Sequence, residues 1–309
     1  MKIFYTDTFK IPLPAKHGFP KNKYPLLRRR ISEQLDNQAV EMSIPEPATD
    51  EEILRAHDLV YFRRFVSGEV TDKEVRRVGL PWSLQIVQRA RYSVGATIAA
   101  CRVSLDEGLA VNLGGGTHHA FSDHGQGYCW LNDSVIASRT IQAEGRAGKI
   151  LIIDCDVHQG NGTAAILKDD PTIFTFSIHG KNNFPYHKET SDLDIELDDE
   201  TDNETYLNAL EKGLNESIPQ SGAYLVIYLA GADPYRNDRF GRLSLTKAGL
   251  AQRDALVFQH CHRAGMPVAV TLAGGYAPQV QDTVDINFQT ILTALEFQQR
   301  FCLSRSVSS

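Results

Sequence analysis

This 309-residue chain has no apolar run approaching the ~20 residues of a membrane span. Its N-terminus, MKIFYTDTFK, has no apolar core followed by a small-residue cleavage site, so export is not expected. Cysteine is sparse. Cys101, Cys129, Cys155, Cys261 and Cys302 are odd in number and contain no C-x-x-C pair, which argues for reduced thiols in a cytoplasmic protein. An excess of basic charge is also missing: the net charge is −6 and the pI about 5.9, which argues against a nucleic-acid-binding surface. Arg28, Arg29 and Arg30 form the single concentrated basic cluster and read as a solvated helix face. No repeat, low-complexity segment or linker interrupts residues 1–302, which predicts one domain, and LSRSVSS at 303–309 reads as a frayed tail.

What the chain does have is short apolar runs alternating with helix-period segments. That pattern predicts a single-domain α/β fold with an open, mainly parallel sheet and helices on both faces. KIFYT, LAVNL, KILIID, TIFTFSI, AYLVIYLA and PVAVTLA are the predicted strands. The acidic stretch at 192–204 alternates apolar residues at first and reads as a strand edge and turn. Val87, Ala90, Val94, Ile98, Cys101 and Leu105 lie on one stripe of a helix over 83–107 that Gly108 stops. Thr49 and Glu52 make a capping-box pattern, and Asn132 or Asp133 is placed to cap a helix ending near Gly145. Further helices carry Tyr206, Leu210 and Leu214, then Leu250 and Val257 up to a stop at Gly265, then Ile291 and Leu295.

The stretch ILIIDCDVHQGNGT, 150–163, departs from a simple core strand. An apolar run built for burial ends in Asp154, Asp156, His158 and Asn161, and burying such groups without partners costs several kcal/mol each, roughly. Asp156 and His158, two apart past a strand end, can point to one side. Asp233 stands in the equivalent place after another strand. Two carboxylates and an imidazole suit a zinc site with room for water. The alternative is three unrelated structural roles, which leaves the accompanying residues unexplained.

Four predicted strand ends carry glycine-rich turns with polar residues: GGGTHHA, CDVHQGNG, GADPYRND and GGYAPQ. Ligands of open parallel sheets bind beyond that edge. Asp154 could hold one ring of the tandem pair His118 and His119, and Asn161 the other. A carboxylate raises an imidazole's basicity whereas an amide mainly orients it, so the two would titrate differently and one could act as general base. Tyr276, after Gly274 and Gly275, could donate its phenol hydroxyl to an oxyanion, with a structural tyrosine as the alternative.

GGGTHHA, GYCWLND, IDCDVHQGNG, FSIH, AGADPYRNDRFGRLSLT, LAGGY and the N-terminal HGFPKNKY together resemble the zinc-dependent histone deacetylase family, and its class IV branch most. They run in family order across nearly the whole chain. The resemblance implies the arginase–deacetylase fold with an eight-stranded parallel sheet. It implies zinc ligands at Asp156, His158 and Asp233, catalytic roles for His118, His119 and Tyr276, and Asp154 as partner of His118. Many family members have Asp where this chain has Asn161, which weakens a full charge relay at His119. Gly127 and Tyr128 match the pair flanking the acyl-lysine chain. A potassium ion would use the Asp154 and Ser177 side chains with backbone oxygens of Asp156, His158 and Ile178, and is optional. The expected activity is hydrolysis of N-acyl-lysine amides in a protein or peptide, without a nucleic-acid or membrane partner. Acetylpolyamines or other small acylated amines are the alternative substrates, and a non-catalytic acyl-lysine-binding protein is the alternative of a different class.

Overall fold

The computed structural model describes residues 1–9, 11–13, 17–36 and 39–307, with side chains described as far as residue 300. Its strands are β1 (Lys2–Phe4), β2 (Glu41–Ser43), β3 (Leu109–Asn112), β4 (Ile150–Asp154), β5 (Ile173–Gly180), β6 (Leu193–Leu197), β7 (Leu225–Leu229) and β8 (Val268–Thr271). They form one open sheet in the order β2-β1-β3-β8-β7-β4-β5-β6, every neighbouring pair parallel. The six predicted strands are all there. β6 is the alternating start of the acidic stretch, while β2, three residues at the sheet edge, is too short to show a period.

The helices are α1 (Lys23–Gln34), α2 (Asp50–Ile53), α3 (Leu59–Ser67), α4 (Asp72–Val78), α5 (Leu84–Glu107), α6 (Asp133–Ala143), α7 (Asn161–Leu167), α8 (Asn203–Ser221), α9 (Lys247–Arg263) and α10 (Val280–Val307). They cover both sheet faces, which explains why the central strands are apolar throughout rather than alternating. In β4, Leu151 and Ile153 join one core with Leu27 and Ile31 of α1, Leu210 of α8 and Val257 of α9. Ile150 and Ile152 enter the other with Phe65 of α3, Ile98 of α5 and Val135 of α6. Each such side chain stabilises the fold by roughly 1.5–3 kcal/mol on burial, and the two-sided cover holds the strand ends in place.

Local signals set the helix limits. Thr49 and Glu52 form both hydrogen bonds of the capping box, and Asn132, not Asp133, accepts the capping bond of α6 from Val135 N–H. Gly108 ends α5 at φ 87°, and Gly265, at φ 68°, follows the end of α9. Helix α10 runs to Val307, through most of the expected tail, because neither Gly nor Pro occurs there to stop it; Ser308 and Ser309 lie outside the described residues. Arg28, Arg29 and Arg30 pair with Asp7, Glu33 and Asp285, so the basic cluster is neutralised within the protein. Among the described residues no helix is long and apolar enough to cross a membrane. The four cysteines whose side chains are described are free and buried, and Cys302 lies outside them.

Candidate metal centre and catalytic cleft

β3, β8, β7 and β4 are consecutive in the sheet, so the four glycine-rich turns that follow them meet at one place along its carboxyl edge. Glycine is required there by close approach. A Cβ at Gly274 would lie 1.9 Å from Asp233 Oδ2 and 2.5 Å from Asp156 Oδ2, and one at Gly127, which also has φ +52°, would lie 2.5 Å from His119 Cδ2.

Asp156, His158 and Asp233 each aim one ligand atom at a common point, all within 4.8 Å of one another and all buried. His158 Nδ1 stands 2.9 Å from Asp156 Oδ1 and 3.4 Å from Asp233 Oδ2. The second Asp156 oxygen accepts the Gly274 N–H at 2.8 Å, and Asp233 Oδ1 accepts that of Val157 at 3.0 Å. Asp233 Oδ2 is buried and, among the described residues, accepts no hydrogen bond. Burial and the neighbouring Asp156 charge push the Asp233 carboxyl up to about 7, despite His158 beside it. Burial alone would lower His158, yet the two carboxylates raise it to about 10. The cluster therefore calls for positive charge at the point where its donors meet. Two carboxylate oxygens and one imidazole nitrogen, with one oxygen otherwise unpartnered, fit a zinc ion held by three protein ligands.

Beside this cluster the tandem histidine rings lie 4.1 Å apart but have unlike partners. His118 Nδ1 bonds Asp154 Oδ2 at 2.6 Å, and His119 Nδ1 bonds Asn161 Oδ1 at 2.7 Å. Burial opposes charging His118, but Asp154 and Asp156 overcome it and hold the ring at about 9. His119 is pushed well below the usual histidine value by burial, then by the charges of His118 and His158. The surroundings thus favour the charged form of His118 and the neutral form of His119. Because Asn161 presents its oxygen, Nδ1 of His119 carries the hydrogen and Nε2 keeps its lone pair.

Tyr276 stands across the cleft, its ring 6.5 Å from that of His158 and 5.8 Å from that of Tyr128. Its backbone N–H donates to Asp238 at 2.6 Å, and the buried Lys23 ammonium donates to the carbonyls of Ala273 and Gly275 just before it. Burial and the Asp156 and Asp233 charges hold the phenol well above its ordinary value, so it stays a donor. Gly127, Tyr128, Phe184, Tyr186 and Phe240 help to line a cleft of about 470 Å³ that reaches His119, His158 and Tyr276. Asp154 and Ser177 face each other in register on β4 and β5, with Ser177 Oγ 2.9 Å from His179 Nδ1.

All ten residues singled out in the sequence, from His118 to Tyr276, stand in or around this one site. Sequence reasoning missed four others. Gln126 Oε1 accepts from Asn161 Nδ2 at 2.7 Å, Phe184 packs its ring 5.0 Å from that of His119, and Asp238 and Lys23 brace the Tyr276 turn. Of the histidines left to structure, His57 is buried away from the cleft, accepting the Asn132 N–H at 2.9 Å. Beneath the site, Arg253 is fully buried against Asp254 and donates to the carbonyls of Cys155 and Gly231, the residues preceding the ligand-bearing turns.

A model of the histone deacetylase domain matches residues 17–291. The chain belongs to the histone deacetylase family. An uncharacterized protein of Picosynechococcus sp. is 44% identical over 285 residues, covering 91% of this chain and 94% of that one. Histone deacetylase 2 of Arabidopsis thaliana is 27% identical over 290 residues, covering 89% and 74% of the two chains. The crystal structure of a histone deacetylase homolog from Aquifex aeolicus superposes with a TM-score of 0.80 at 21% identity, over 94% of this chain and 83% of that one, and establishes the shared fold.

Proposed function

We propose that this histone-deacetylase-family hydrolase cleaves the amide of N-acyl-lysine side chains in a zinc-dependent reaction. The observation that carries this reading is the meeting, at the end of one cleft, of three convergent ligand atoms, the His119 Nε2 lone pair and the Tyr276 phenol. Asp156, His158 and Asp233 would hold the zinc ion, which when bound would supply Lewis acidity toward the substrate carbonyl and a nearby water. His119 takes a proton from that water at Nε2 and passes one to the departing lysine nitrogen. The Tyr276 hydroxyl donates to the carbonyl oxygen as negative charge grows on it. His118, whose protonated form Asp154 favours, would then add positive charge beside the same carbonyl and disfavour protonation of His119. Tyr128 and Phe184 enclose the lysine methylenes and exclude water. A C–O bond forms, the C–N bond breaks, and the products are a carboxylate and free lysine.

A class IV affiliation, a potassium ion between Asp154 and Ser177, and a cytoplasmic location accompany this reading as parts of the same proposal. The second reading, a small acylated amine as substrate, keeps the chemistry and changes the partner. Acid release from acyl-lysine peptides and from acetylated polyamines, at defined metal loading, separates the two. Peptide turnover is expected to be faster; faster polyamine turnover supports the second reading. A zinc-loaded protein that binds acyl-lysine peptide without turning it over is instead an acyl-lysine reader.

A further inference from the structure

The chain as a whole is acidic, with a net charge of −6. Its cleft is not. Arg77, Arg239 and Arg242 line it, and no Asp or Glu is among the lining residues described. Arg77 borders the inner wall, where its carbonyl accepts the Gly127 N–H at 3.3 Å and the next carbonyl, of Val78, accepts that of Tyr128 at 2.6 Å. Arg239 donates to the Gly18 carbonyl at 2.6 Å and lies over the Phe240 ring at 4.5 Å. A backbone oxygen and an aromatic face hold that guanidinium, and neither neutralises it. Its neighbour Asp238 accepts the N–H groups of Phe240, Gly241 and Tyr276, so among the described residues Arg239 has no direct carboxylate partner. Arg242 is the exception: it pairs with Asp199 at 3.1 Å, both groups solvent-exposed, so water screens the pair. Lys188, on the loop that carries Phe184 and Tyr186, is held by the carbonyls of Asn183 and Pro185 with the charges of Glu196 and Asp194 acting on it, so it is not among the free cations of the mouth.

We propose that this mouth selects acyl-lysine segments bearing acidic residues beside the acylated lysine, and disfavours cationic amides such as acetylated polyamines. The inference rests on the amide-hydrolase reading above and names its substrate class. Charges of one sign around a cleft with aromatic, low-dielectric walls focus the field, concentrate the oppositely charged ligand and repel the like-charged one.

The test uses the zinc-loaded full chain and matched fluorescent peptides, identical except for Asp or Glu against Lys or Arg on either side of acetyl-lysine, together with an acetylated polyamine. At low salt kcat/KM is expected to be about tenfold higher for the acidic peptide, with the ratio falling toward one in ~0.5 M salt. Arg77→Glu and Arg239→Glu are each expected to lower or invert the ratio. Equal rates at low salt, or preference for the basic peptide or the polyamine, overturn the proposal. Absence of turnover on every amide would count against the hydrolase reading instead, and fluorescence anisotropy on the same peptides then decides: tighter binding of the acidic peptide supports the selection, and equal or reversed binding overturns it.

Discussion

Asn161 Oδ1 accepts the Nδ1–H of His119 at 2.7 Å, which leaves on Nε2 the lone pair that the proposed reaction uses as its base. The carboxamide could sit in either of two orientations. Gln126 Oε1, accepting from Asn161 Nδ2 at 2.7 Å, selects the one observed. Gln126→Leu is therefore expected to reduce kcat about tenfold with little change in KM, the scale typical of outer partners of a catalytic group. Gln126→Glu keeps the acceptor and is expected to restore kcat. In an Asn161→Asp background, where either carboxylate oxygen can accept, the Gln126→Leu penalty should disappear. Equal penalties in both backgrounds would show that Gln126 acts through general packing.

Tyr276 lies outside the cluster of candidate metal ligands, and the proposed reaction uses only its hydroxyl. Tyr276→Phe is expected to keep zinc at one ion per chain and lose ~10²–10³ in kcat, the scale of one oxyanion donor. Metal content by mass spectrometry alongside steady-state rates checks both halves. Near-wild-type turnover would remove Tyr276 from the chemistry.

The buried carboxylates Asp156 and Asp233 repel each other unless a cation lies between them. Zinc at a hundredfold excess over its Kd should stabilise the fold by ~2.7 kcal/mol, read as a higher thermal midpoint. Asp233→Asn is expected to abolish that gain without lowering the midpoint of the metal-free protein, because it removes a charge that burial and Asp156 already disfavour. A zinc-dependent gain that survives in Asp233→Asn would show that the ion binds elsewhere.

Burial lowers His57 to about 4 from the ordinary histidine value of 6.5. Its folded-state value is depressed, so the unfolded chain binds the extra proton first. The stability it confers is complete above pH ~6.5 and is lost as pH falls toward 4, at most ~3 kcal/mol from this group. Denaturant midpoints at pH 7.5, 6 and 5 should decline, and His57→Gln should flatten that slope. An unchanged slope in the variant would assign the acid sensitivity to other groups.

Most of the fold and of the site was legible because the residues concerned are conspicuous for their positions. Asp154, Asp156 and His158 interrupt an apolar strand, and the tandem histidines follow three glycines; few structural roles account for such chemistry. Gln126, Asp238 and Lys23 carry no comparable signal. A glutamine in a loop, an aspartate in a polar turn and a lysine opening a helix are ordinary, and their roles arise only when the chain folds. Lys23, for example, bonds carbonyls 250 and 252 residues away. Arg253 was hidden in the same way, since only tertiary packing places it beneath the strand ends. The two-sided helical cover was readable from the apolar strands, whereas the three-residue edge strand β2 owes its existence to pairing with β1.

The proposed reaction is metal-dependent cleavage of an acyl-lysine amide at Asp156, His158 and Asp233. Its most direct test is acid release from an acetyl-lysine peptide by metal-stripped protein titrated with zinc. No release is expected without metal, then turnover that rises linearly to one zinc per chain, and loss of that rise in Asp233→Asn. Protein loaded with one zinc at this site that releases no acid from acetyl-lysine or longer acyl-lysine peptides would contradict it.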